Sequence, residues 1–200
     1  RIHEAAIDSY ETCLPRLGYG EQHLRTLEHA GRIDEAIALT KKLCPDVAGG
    51  GLMASVSNSL KAFTQLAQGR VRTAREIAEL CVSHLVDNDK SGWLYTTLIL
   101  HSLSCGLSGD TAGARAAAVM MDQERHPGFD LMEPDRILTW AWVEASEGAV
   151  SLAIQRARAA ANVAAERGHW GPEAYALAAA TRMGDTGAAA RLRELAAIVE

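Results

Sequence analysis

Glu147-Gly148-Ala149-Val150-Ser151-Leu152-Ala153 is the stretch on which the fold turns. A glycine commonly ends a helix because the residue there must take a left-handed conformation that only glycine adopts without strain. A β-branched residue stands two positions on, and a second helix follows. The alanine five positions on is small enough to let that helix cross the first closely. The same reading applies to Ala30-Gly31-Arg32-Ile33, Gln68-Gly69-Arg70-Val71, Ser108-Gly109-Asp110-Thr111 and Met183-Gly184-Asp185-Thr186. Alanine follows each glycine by five residues, at Ala36, Ala74, Ala114, Ala153 and Ala189. The glycines Gly31, Gly69, Gly109, Gly148 and Gly184 are 38, 40, 39 and 36 residues apart. A single match would mean little in a chain this rich in Gly and Ala. Five in register predict an internal repeat of helix, glycine turn, helix and a longer link.

Breakers between the copies agree with that division. They are Cys44-Pro45-Asp46 with Gly49-Gly50-Gly51, Asp87 to Gly92, His126-Pro127-Gly128 to Pro134, and Gly168 to Pro172. The repeats are expected at about 15–47, 52–90, 92–127, 134–168 and 171–200, with 1–14 ending an earlier copy. No alternating strand pattern occurs, so the expected class is all-α. Of the 200 residues, 48% are hydrophobic and only 5% aromatic, so the core must be built of Ala, Leu, Ile and Val. The chain opens on Arg1 and closes on Glu200 after an apolar run, which reads as a single helical-repeat domain excised from a longer polypeptide.

The Gly-then-Ala register resembles that of tetratricopeptide repeats, although those run near 34 residues and carry a large aromatic later in the second helix. Here the later positions are Thr40, Ala78, Ala118, Ala157 and Arg193, so the variety is divergent. The resemblance implies a right-handed α-solenoid of about five helix–turn–helix repeats. A second resemblance lies toward the C-terminus. It rests on Ala157-Arg158-Ala159-Ala160-Ala161, Ala165-Glu166-Arg167-Gly168, Glu173-Ala174-Tyr175-Ala176-Leu177 and Arg182-Met183-Gly184-Asp185. These are similar to the helical-repeat region of large actinobacterial LuxR-family regulators of the maltose-activator (MalT-like) plan. There a nucleotide-binding module precedes the repeats and a helix-turn-helix DNA-binding domain follows them. That resemblance implies a non-catalytic region that senses a protein or small-molecule inducer and relays it to neighbouring domains of the same chain. The alternatives are a free-standing adaptor for a peptide or protein helix and a small-molecule-binding repeat domain.

The chemistry-bearing residues give no enzyme signature. No G-x-x-x-x-G-K-[ST] phosphate loop occurs, and Gly49–Gly51 lacks its lysine. His3-Glu4-Ala5-Ala6-Ile7 begins like a zinc-protease motif but has Ile7 where the second imidazole must stand. His126, Asp130, Glu133 and Asp135 fall in one polar link. Pro134 and its acidic neighbours suit a helix start better than a metal, so no metal and no cofactor are expected. The net charge of −5 comes without a basic cluster, which speaks against direct nucleic-acid contact by this segment. Cys13, Cys44, Cys81 and Cys105 form no C-x-x-C and read as core residues of a reducing, cytoplasmic compartment. No apolar run reaches a membrane span, so no membrane partner is expected, and homo-oligomer formation is left open.

By analogy with tetratricopeptide arrays, the first helix of each copy lines a partner groove. Six and ten residues before the turn glycines stand Phe63, Ile99, Leu103, Leu138 and Trp142, the candidate groove residues. Eight before stand His101 and Trp140, which are candidates as well. The competing reading makes Leu103 and Trp142 core, and His101 and Trp140 edge.

Overall fold

The computed structural model describes residues 13–44, 51–89 and 92–199. The expectations for 1–12, for Pro45 to Gly50 and for Lys90-Ser91 lie outside the described residues. Among these residues there are ten α-helices and no strand, so the chain is all-α. The helices pair about the five glycines. α1 (Cys13–His29) and α2 (Ile33–Leu43) flank Gly31, and α3 (Leu52–Ala67) and α4 (Val71–Leu85) flank Gly69. α5 (Trp93–Leu107) and α6 (Thr111–Gln123) flank Gly109, and α7 (Glu133–Ser146) and α8 (Val150–Glu166) flank Gly148. α9 (Trp170–Arg182) and α10 (Ala188–Val199) flank Gly184.

All five turns share one hydrogen-bonded form. Each glycine has positive φ, from 70° at Gly31 to 104° at Gly184. In each, the amide after the glycine reaches back to a carbonyl of the last helical turn: Arg32 to Leu27, Arg70 to Gln65, Asp110 to Cys105, Ala149 to Glu144 and Asp185 to Ala180, at 2.8–2.9 Å. These bonds satisfy carbonyls that a helix end would otherwise leave without partners. Gly168, in the link between α8 and α9, closes its helix in the same way, with His169 bonded to the Ala164 carbonyl.

The alanine column behaves alike in four copies. Ala36, Ala74, Ala114 and Ala153 have no exposed surface, and each closes the first backbone bond of its helix. The fifth copy departs. α10 begins at Ala188, and Ala188 is buried where Ala189 is only partly so. Here the Asp185 carboxylate accepts the Gly187 amide at 2.9 Å and grips Arg158 of the preceding helix pair through two bonds of 2.6 Å, which lengthens the turn. The third link is also more ordered than a plain connection. Pro127–Met132 forms a 3₁₀ helix, started by the His126 imidazole accepting the Gly128 amide.

The chain divides within α5 into two compact units, Arg1–Ser104 and Cys105–Glu200. In the first, α3 packs along α4 and carries Val56, Leu60 and Phe63 into the core. Buried hydroxyls face one another there, Thr40 with Thr64 at 2.6 Å and Ser59 with Thr97 at 2.9 Å. The core of the second unit is chiefly alanine: Ala141, Ala157, Ala160, Ala161, Ala176, Ala179 and Ala180 surround Leu138, Leu177 and Leu195. Small side chains allow close helix approach. At the end of α5, a Cβ on Gly106 would stand 3.1 Å from the Trp142 carbonyl oxygen. No helix among the described residues is long and apolar enough to cross a membrane.

Candidate functional site

In the first unit, Phe63, Ile99 and Leu103 are buried, and His101 is half-buried. The Arg25 guanidinium lies over the Phe63 ring, 5.8 Å from its centroid. In the second unit, Leu138 is buried in the alanine core with Trp142 packed beside it. Arg182 covers the Trp142 ring at 5.0 Å. Trp140 points elsewhere. Its indole N–H donates to Asp122 at 3.0 Å, and Arg115 lies over its ring at 5.6 Å. Trp140 and Trp142 therefore stand in different surroundings, and each is half-buried beneath an arginine. The first helices carry two buried columns. Besides the positions six and ten before the glycine, Leu27, Cys105, Glu144 and Ala180, four before it, are buried too.

The polar residues of the third link form ion pairs. Arg136 donates to both Glu133 oxygens at 2.9 and 2.7 Å and to Asp122 at 3.0 Å. Arg125 approaches Glu133 at 3.3 Å, and Arg167 approaches Asp130 at 3.1 Å. Hydrogen bonds from Arg136 hold the Glu133 carboxyl below its ordinary range, against a smaller opposing effect of burial. Among the described residues, no three acids, histidines or cysteines gather as a metal set. Cys44, Cys81 and Cys105 are buried free thiols.

One feature of the first unit was not singled out from the sequence. A cleft of about 580 Å³ opens between α2, α3 and α4. Helix α2 gives it Ile37, Thr40, Lys41 and Cys44, a spacing that puts all four on one face. Helix α3 answers with Lys61, Thr64 and Gln65 at the same spacing, continued by Gln68 at its C-cap. Thr73 and Ile77 of α4 complete the wall. The Thr40–Thr64 hydroxyl contact is the point where α2 and α3 meet. Burial pushes the Cys44 thiol up, offset in part by a hydrogen bond with Ser57 and by the charge of Lys61. Two lysines and no acid line the cleft. Its volume lies within the roughly 300–1,000 Å³ of small-molecule sites.

No protein family, curated protein or solved structure matches the chain.

The signal for the cleft was present in the sequence. Lys41 follows Gly31 by ten residues, and Lys61 precedes Gly69 by eight. Only a comparison of the second helix of one copy with the first helix of the next, rather than column by column, sets them opposite one another.

A second polar feature of the first unit is α1. Glu21, Arg25 and Glu28 share one face, and Glu21 and Arg25 are buried. The Glu28 carboxyl is pushed up from 4.5 to about 7, first by burial, with Arg25 lowering it and Glu21 raising it. A raised carboxyl means that the folded chain holds this proton longer than the unfolded chain. The associated stability is complete below about 4.5 and is lost as the pH rises through about 7. The melting temperature is thus expected to fall between pH 5 and pH 8 by this contribution. Glu28→Gln should flatten that slope, which thermal melts followed by circular dichroism across the range would read.

Proposed function

We propose that this chain is the non-catalytic sensor and protein-interaction region of a LuxR-type transcriptional regulator of the MalT-like plan. In this reading it is a right-handed α-solenoid of tetratricopeptide-like repeats that relays an inducer or partner to nucleotide-binding and DNA-binding modules. The observation that carries the reading is the uniform glycine turn, five times in register, each standing between two helices. A helix pair of this kind cannot bury both faces alone, and stacking its neighbours is how such pairs become stable. The buried second column on the first helices supports stacking on both sides. The segment that carries the regulator resemblance contributes working parts of the second unit. Ala157, Ala160 and Ala161 form its core, and Arg158 locks the Asp185 turn.

The sensor role follows from the resemblance, since a repeat fold by itself does not fix a function. The test is the reading frame around Arg1–Glu200. A nucleotide-binding module upstream and a helix-turn-helix domain downstream are expected, and a frame that lacks both overturns the proposal. Capture of a defined protein partner by residues 1–200 alone, lost on Trp142→Ala with the helical content retained, would favour a free-standing adaptor instead.

A further inference from the structure

Counted from the turn glycines, α6, α7 and α8 of the second unit correspond to α2, α3 and α4 of the first. Eight residues before its glycine, α7 carries Trp140 where α3 carries Lys61. The Trp140 indole reaches across to α6. Its N–H donates to Asp122 at 3.0 Å, and the Arg115 guanidinium lies 5.6 Å from its ring centroid. Asp122 and Arg115 hold the positions of Cys44 and Ile37. The space left open beside Ile37, Cys44 and Lys61 in the first unit is thus the space that an indole takes in the second.

The polar positions around the two spaces also differ. In the second unit Glu144 and Glu147 of α7 pair with Arg156 of α8 and Arg115 of α6. In the first unit the same four positions hold Gln65, Gln68, Ile77 and Ile37, all of which line the cleft. Two positive and two negative charges are lost together there, so these positions demand no charge of a ligand. Two ion pairs have become two amides and two apolar side chains. Among the described residues, the Gln65 side-chain amide bonds only Arg70, its oxygen accepting at 3.4 Å, and the Gln68 side-chain amide bonds no other group. The Thr40 and Thr64 hydroxyls bond each other and carbonyls of their own helices, so that part of the lining is already satisfied.

We propose that the α2–α3–α4 cleft binds a neutral, planar heteroaromatic molecule whose ring lies where the second unit places Trp140 and whose edge bonds Gln65 and Gln68. A side-chain amide presents an N–H and a C=O side by side, which is the complement of a lactam edge. The volume of about 580 Å³ suits a molecule of one or two rings. Its faces rest against Ile37, Ile77 and the aliphatic stems of Lys41 and Lys61, so the ammonium charges are not what holds it. The site is independent of the sensor assignment, because an adaptor would carry the same cleft.

The experiment is calorimetric titration of the 200-residue chain with 2-quinolone, a neutral bicyclic lactam, and with N-methyl-2-quinolone, which lacks the donor. 2-Quinolone is expected to bind roughly tenfold more tightly, the scale of one hydrogen bond made or lost in a partly buried site. Gln65→Leu with Gln68→Leu should bring the two probes to equal affinity. Lys61→Trp sets an indole at the Trp140 position and should weaken both probes by roughly tenfold or more, with the helical circular dichroism retained. If that variant unfolds, the double leucine variant still decides. Equal affinity of the unmodified chain for the two probes, or no 2-quinolone binding at millimolar concentration, would overturn the proposal. An unchanged preference in the double leucine variant, or full binding by a folded Lys61→Trp chain, would do the same. So would roughly tenfold tighter binding of 2-quinolone-4-carboxylate, since the cleft would then select a charge. None of those results bears on the reading-frame test of the regulator assignment.

Discussion

Arg136→Met is expected to lower the unfolding free energy by about 2–3 kcal/mol, read as a shift of the urea midpoint at pH 7. The size follows from what the guanidinium leaves behind. Arg136 is 19% exposed and Glu133 14%, so both ends of this pair have given up most of their water. Removing the cation strands the Glu133 carboxylate with only Arg125 at 3.3 Å, and strips one partner from Asp122. Breaking a fully buried pair costs about 3–5 kcal/mol, and the 38% exposure of Asp122 argues for the lower figure. Methionine keeps much of the arginine stem's volume, so little of the loss would be packing. The pH dependence gives a second readout. The Glu133 carboxyl is lowered, chiefly by its hydrogen bonds with Arg136, so its contribution is present above its ordinary range near 4.5 and is lost as the pH falls through the folded value. In Arg136→Met that acid limb should be shallower. Glu133→Leu added to Arg136→Met should recover part of the loss, because it removes the stranded charge. No recovery would mean that the pair's worth lies in the backbone of the Pro127–Met132 helix instead.

Gly109→Val is expected to cost about 2 kcal/mol or more, with Gly109→Ala at roughly 1–2 kcal/mol. Gly109 has φ of 80°, and a Cβ built on it would meet nothing within 4 Å. The penalty is therefore purely conformational: a side chain in the left-handed region, worse when it branches at Cβ. No contact is lost, so Gly109→Asn, which tolerates that region, should be the mildest of the three. The turn is held by Asp110 donating its amide to the Cys105 carbonyl at 2.9 Å, while the Asp110 carboxylate caps α6 through the Gly113 amide at 3.0 Å. An unmoved urea midpoint in all three variants would contradict the turn geometry.

The turns were legible because a turn is a local event. Positive φ selects glycine whatever the rest of the chain does, so Gly31, Gly69, Gly109, Gly148 and Gly184 announce themselves. The buried alanine five residues beyond follows from the crossing that such a turn imposes. The fifth copy shows where this stops. There Asp185 captures Arg158 from the preceding helix pair, the turn lengthens, and burial passes from Ala189 to Ala188. No property of Thr186 or Gly187 announces this, since the partner is 27 residues away. The groove residues divide for a similar reason. Periodicity set Trp140 and Trp142 side by side as candidates, whereas the fold gave one to Asp122 and Arg115 and the other to the alanine core and Arg182.

The amino-acid sequence by itself determined the helical class and the positions of the five glycine turns, because chirality and helix-end hydrogen bonding act over a few residues. The tertiary structure alone decided which polar side chains meet. Lys41 and Lys61 face one cleft, and Trp140 meets Asp122, because each pair is brought together by the packing of separate helices. That packing depends on the shapes of all the residues between them.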